Sequence, residues 1–232
     1  MSLKKRPFCL LEIILWLRKG GHNMKKANIT ELVFILDRSG SMSGLERDTI
    51  GGFNSMLEEQ KKGKKEVLVT TVLFDDKYDI LYDSKNIKEV NAITDKEYYP
   101  RGSTALLDAV GKTINKIGQT KNKVLIVITT DGMENSSREY NYTKIKEMII
   151  NKQKKEKWEF IFLGANIDAV EVASFIGIDS SRAQRYHADA KGVSKNYETL
   201  SKAICSFTQN EELSEGWNDD IKKDYEQREK GN

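Results

Sequence analysis

The feature that most constrains this chain is a pair of unbroken apolar runs, each of which ends in an aspartate. Leu32-Val-Phe-Ile-Leu36 leads into Asp37, and Val124-Leu-Ile-Val-Ile128 leads through Thr129 and Thr130 to Asp131. Apolar runs without polar alternation suit strands covered on both faces, which belong at the centre of a parallel sheet. After Asp37 the chain turns small and polar, Arg38-Ser39-Gly40-Ser41-Met42-Ser43-Gly44, as at a strand exit. Open α/β sheets bind ligands along that carboxyl edge. Asp37, Ser39 and Ser41 offer one carboxylate and two neutral oxygens, the hard donors that suit Mg²⁺. Ser and Asp also serve as ordinary turn formers and helix caps, so this segment alone decides nothing.

Two further segments have the chemistry to complete a metal site. Tyr98-Tyr99-Pro100-Arg101-Gly102-Ser103-Thr104 sets a hydroxyl at the junction of a Pro/Gly loop and a helix, and Asp131 is followed by Gly132, which suits a sharp turn. With these in place the chain resembles the von Willebrand factor A (VWA) domain family and its metal-ion-dependent adhesion site (MIDAS). That family's pattern is Asp-x-Ser-x-Ser, a Thr after a Gly-containing loop, and an Asp closing a later strand. Asp37, Ser39, Ser41, Thr104 and Asp131 fill the five positions in the family order, and the likeness covers roughly residues 28–209. Ser103 departs from the second Gly that the family often carries there.

The resemblance implies a stand-alone, bacterial-type member with a complete site for Mg²⁺ or Mn²⁺. It further implies that the three hydroxyls bind the cation directly, while Asp37 and Asp131 act largely through coordinated water. A cation with few direct carboxylates stays electrophilic and can accept a carboxylate from another molecule. The expected function is therefore a metal-dependent protein-binding adaptor without catalysis. Its partner would present an Asp or Glu, on an ATPase or another assembly component by family analogy.

At 232 residues the chain is long enough for one α/β domain. Charged residues make up 31%, spread in short mixed-sign clusters such as those between Glu58 and Glu66, which fits solvated helix faces. The first 23 residues stand apart. Lys4-Lys5-Arg6 and the apolar Pro7–Leu17 segment imitate a secretory signal, but Glu12 interrupts the core, no small-x-small cleavage site follows, and the run falls short of the about 20 residues a membrane span needs. The preferred expectation is a leader, tag or mis-assigned start. Met24 would be the natural beginning, because Arg18-Lys19-Gly20-Gly21 can be encoded by a purine-rich ribosome-binding sequence. A short anchor is the other reading.

The full chain carries 38 basic and 35 acidic residues, a net charge of +3. Residues 1–23 hold five of the basic and one of the acidic side chains, so the remainder has 33 against 34. Basicity thus gives the domain no reason to bind nucleic acid or a membrane surface. Cys9 and Cys205 are distant in sequence, which suits free thiols in a reducing, cytoplasmic compartment.

Periodicity places helices over 45–62, 104–117, 142–155, 168–176 and 194–207, with a short one near 94–98. Strands are expected over 32–36, 66–74, 78–82, 123–130 and 158–163, and a weak one over 182–187. The short turn at Asp75-Asp76-Lys77 requires an antiparallel hairpin. The expected fold is a three-layer, doubly wound, mostly parallel sheet with one antiparallel edge strand. The VWA domain would span 24–209, and 210–232 would be a polar, solvated tail. Arg38, Met42, Tyr98, Tyr99 and Arg101, with the Asp75-Asp76 hairpin, are candidates for a partner-binding rim.

Enzyme readings have weaker support in the sequence. Gly40-Ser-Met-Ser-Gly44 carries Met where a nucleophile elbow needs Ser. A Ser41, Asp131, His187 triad keeps a permissible chain order but sets His187 beside a weak strand. The alternative function is a metal-assisted phosphohydrolase with Asp37 as nucleophile, although Ser39 stands where such an enzyme needs a second Asp as general acid. No glycine-rich nucleotide-binding loop follows a strand.

Overall fold

The structure, a computed structural model, describes residues 29–210 and 212–230, so the expectations for residues 1–23 lie outside the described residues. Six strands form one sheet in the order β3-β2-β1-β4-β5-β6. They are β1 (Thr30–Asp37), β2 (Val67–Phe74), β3 (Tyr78–Asn86), β4 (Lys123–Thr130), β5 (Glu159–Ala165) and β6 (Ala183–Tyr186). All neighbours pair in parallel except β2 and β3, which form the antiparallel hairpin at one edge. The doubly wound architecture expected from the sequence is the one observed.

Helices α1 (Glu46–Lys61) and α5 (Ala190–Asn210) cover one face, and α2 (Leu106–Ile117), α3 (Tyr142–Glu156) and α4 (Ala169–Phe175) the other. β1 explains why its sequence is apolar throughout. Leu32, Phe34 and Leu36 point into the core under α1 and α5, whereas Val33 and Ile35 point into the core under α2 and α3, the period-2 alternation of a strand buried on both sides. On the α1 side Phe34 meets Phe53 edge to face, with ring centroids 5.2 Å apart.

Three expectations differ from the structure. β3 continues beyond Tyr82 to Asn86, with Leu68 paired to Asn86 through a register shift. Its polar second half masks a strand that faces solvent at the sheet edge. The short helix near 94–98 is a single turn, closed by Tyr98 N donating to Thr94 O at 2.9 Å, and Pro100 cannot extend it.

The solvated tail needs the larger correction. Helix α6 (Asp219–Lys230) packs against α5 and β6, and Leu213, Trp217 and Ile221 are buried. Trp217 Nε1 donates to Ser181 O at 2.8 Å, and Arg228 pairs with Asp189 ahead of α5. Three apolar residues spaced four apart within a polar stretch were enough to close the fold, and composition averages hid them.

Candidate metal centre

β1 and β4 are neighbours with Leu36 level with Thr129, so the pairing brings Asp37 and Asp131 to the same sheet edge. Between them runs a chain of hydroxyls. Thr104 Oγ1 lies 3.1 Å from Ser39 Oγ, Ser39 Oγ lies 3.0 Å from Ser41 Oγ, and Ser41 Oγ donates to Asp131 Oδ1 at 2.6 Å. All five residues expected at the site converge. Asp37, Ser39, Thr104 and Asp131 are buried and Ser41 is exposed, so the cluster opens to solvent at Ser41.

The two carboxylates are held differently. Asp37 Oδ1 accepts from Ser39 N at 2.6 Å and Oδ2 from Thr130 Oγ1 at 2.5 Å. Asp131 Oδ2 is buried and has no hydrogen-bond partner. An unpartnered carboxylate oxygen is costly to bury unless a positive group comes to it. Burial pushes the Asp37 carboxyl up to about 6 against the pull of Thr130 and Ser39, and burial raises Asp131 as well. No group of three His, Cys, Asp or Glu side chains suited to a metal occurs among the described residues. The hard donors here are two carboxylates and three hydroxyls, a set that fits a divalent cation such as Mg²⁺ or Mn²⁺.

Two glycines keep this edge compact. A Cβ on Gly132 would sit 2.8 Å from Thr104 Oγ1 and 3.1 Å from Ser41 Oγ. Gly132 therefore matters by leaving room for the hydroxyls, rather than for the turn conformation the sequence suggested. Gly102 does need its freedom: its φ is +65° and its carbonyl accepts from Gly40 N at 3.1 Å. Thr104 is held by the loop after β4, since its N–H donates to Asn135 Oδ1 at 2.9 Å and its carbonyl accepts from Asn135 N at 3.0 Å. Glu134 caps α2 by accepting from Leu107 N at 2.9 Å.

The rim expected from the sequence is only partly a rim. Arg38 is 3% exposed, Met42 1% and Tyr98 1%, which corrects their assignment as partner contacts. Arg38 Nε donates to Asp75 Oδ2 at 3.0 Å and its guanidinium also pairs with Asp79. Arg101 joins the same two carboxylates at 2.7 and 3.0 Å. Burial pushes the Asp75 carboxyl up, but Arg101, the Lys77 N–H and Arg38 outweigh it and hold it below its ordinary range. Both guanidiniums lie over the Tyr99 ring, at 5.5 and 5.2 Å.

Of the five candidates, Tyr99 is exposed and Arg101 half-buried. Sequence reasoning missed Met133, which is 55% exposed next to Gly132. An apolar side chain in the loop directly after an Asp-Gly turn was the available signal.

No family model and no curated protein matches the sequence. Solved structures do match. Proximal thread matrix protein 1 from the mussel byssus, in a form with a zinc-occupied MIDAS motif, is 16% identical with a TM-score of 0.54 over 78% of this chain and 46% of its own. The von Willebrand factor type A protein from Catenulispora acidiphila is 11% identical with a TM-score of 0.53, covering 76% of this chain and 42% of that one. The ArnB paralog VWA2 from Sulfolobus acidocaldarius is 18% identical with a TM-score of 0.52, covering 76% and 45%. The chain thus spans less than half the length of these proteins. At such identities the likeness is one of fold, and the fold of this chain is that of a von Willebrand factor A domain.

Proposed function

We propose that this chain is a metal-dependent protein-binding module. The residues that would hold Mg²⁺ or Mn²⁺ are Ser39, Ser41 and Thr104 with Asp37 and Asp131. When bound, the cation supplies an electrophilic position for a carboxylate from a partner protein. The observation that carries this reading is the continuous Thr104–Ser39–Ser41–Asp131 hydroxyl chain, open to solvent at one end and ending beside an unpartnered buried carboxylate oxygen. The zinc-occupied MIDAS of the mussel protein supports it by analogy of fold.

The module reading is favoured over catalysis by the surroundings of the candidate nucleophiles. Ser41 donates directly to Asp131 with no imidazole between them, and His187 is stacked on Tyr225 of α6 at a centroid distance of 4.5 Å. Asp37 is the candidate nucleophile of the phosphohydrolase reading, and Ser39, whose hydroxyl lies among those of Ser41 and Thr104, stands where that reading needs a carboxylic general acid. No helix among the described residues is long and apolar enough to cross a membrane.

The test is capture of protein from a cell extract on the immobilised full chain, in Mg²⁺ and in chelator, with Asp37→Ala as control. Capture that needs both the cation and Asp37 is expected. Identical capture in all four conditions would overturn the reading.

A further inference from the structure

Thr130 belongs to neither the apolar run nor the five site residues, yet it is fully buried at the end of β4, beside the last residue of β1. A β-branched residue in a central strand needs no functional explanation, since it packs well on a pleated surface. Its hydroxyl is what sets it apart, because the neighbouring Thr129 hydroxyl is buried with no partner whereas that of Thr130 is engaged on two sides. Asp37 Oδ2 stands 2.5 Å away and Gly132 O 3.1 Å away, while Gly132 N donates to the hydroxyl oxygen at 3.2 Å. The shorter contact to a charged acceptor takes the proton. Thr130 therefore grips the Asp37 carboxylate on one side and the turn that carries Asp131 on the other.

The consequence is a division of labour between the two acids. Asp37 is fixed at both oxygens by protein donors, whereas Asp131 keeps one buried oxygen bare. Asp37 is thereby held at both oxygens, and the Thr130 side chain links it to the turn that carries Asp131.

We propose that Thr130 is a positioning residue of the metal centre, holding Asp37 and the Asp131 turn in the mutual arrangement that receives the cation. The inference rests on the reading of the site as a metal centre. Groups that orient metal ligands typically contribute about 10- to 100-fold to metal affinity, and loss of the Thr130 hydroxyl falls in that class.

The experiment is a Mn²⁺ titration followed by electron paramagnetic resonance on the full chain. Wild type is compared with Thr130→Val, which keeps the shape and removes the hydroxyl, and with Thr130→Ser, which keeps the hydroxyl. All three are measured well below their melting temperatures in chelator. The expected result is Mn²⁺ affinity weakened about 10- to 100-fold in Thr130→Val and restored to within about threefold of wild type in Thr130→Ser. If Thr130→Val does not fold, Thr130→Ala removes the same hydroxyl and is read in its place. Wild-type binding with an equal affinity in the hydroxyl-free variant, whatever its melting temperature, would overturn this inference alone. Absence of saturable binding by wild type would overturn it together with the metal-centre reading.

Discussion

The hydroxyl of Tyr98 donates to the main-chain carbonyl of Asp37 at 2.6 Å, from a side chain buried beneath the loop that leads to Thr104. With Gly40 N donating to Gly102 O and Arg101 N to Arg38 O, this bond joins the end of β1 to the segment that supplies the third hydroxyl of the site. Burial raises the Tyr98 hydroxyl well above its ordinary pKa, so it remains a donor at any working pH. Replacing Tyr98 with Phe keeps the ring and orphans a buried carbonyl. The expected cost is about 1–3 kcal/mol, read from urea denaturation with an unchanged slope.

Asp37 is expected to make the stability of the fold in chelator depend on pH. Its folded pKa, pushed up to about 6 from 3.8 by burial, is raised, so the stability it contributes is fully present below about 3.8 and is lost as pH rises through about 6. Asp131, also raised, acts in the same direction. In chelator, Asp37→Asn is expected to be more stable than wild type at pH 8, by about 1–3 kcal/mol, with the gain shrinking towards pH 4. Thermal melts across that window check it. An Asp37→Asn protein less stable than wild type at pH 8 would contradict the account of a buried, penalised charge.

The Arg38, Asp75, Asp79 and Arg101 cluster pins the β2–β3 turn to the loop before Thr104. Asp75 is fully buried between two guanidiniums, and breaking a buried pair strands the partner charge. Asp75→Asn is expected to destabilise the domain by about 2–4 kcal/mol, softened because Asp79 remains to pair both arginines. Met133→Ala changes an exposed side chain and Tyr99→Ala removes a half-exposed ring stacked by Arg38 and Arg101, so both should leave the unfolding free energy within about 1 kcal/mol of wild type, and their effect is expected in partner capture.

Removing residues 211–232 should lower stability, because Leu213, Trp217 and Ile221 are buried against the α5 side of the sheet. Trp217→Ala alone is expected to cost about 3 kcal/mol, measured by thermal or urea unfolding. Unchanged melting in both variants would show the segment to be dispensable to the core.

What could be read in the sequence follows from how far each signal reaches along the chain. The alternation of Leu32, Phe34 and Leu36 with Val33 and Ile35 cannot be separated by face in one dimension, yet their joint apolarity declares a strand buried on both sides. The convergence of Asp37, Ser39, Ser41, Thr104 and Asp131 followed from parallel strand ends and the family pattern. The rim did not follow. Arg38 and Tyr98 lie in loop sequence, and loops are normally solvated, but Arg38 is drawn inward by Asp75, 37 residues away. Thr130 was invisible for a similar reason, since nothing in Thr129-Thr130 marks which hydroxyl meets a carboxylate 93 residues distant. The closing segment was missed because three apolar residues among many charges do not move a composition average.

The most direct test of the central claim is a Mn²⁺ titration of the full chain by electron paramagnetic resonance, comparing wild type with an Asp37→Ala, Asp131→Ala double variant. Only free Mn²⁺ gives the sharp signal, so binding removes it. Saturable loss equivalent to one site in wild type, absent from the double variant, is the predicted result. Equal free signal in both proteins, with both folded, would contradict the assignment of this sheet edge as a metal centre.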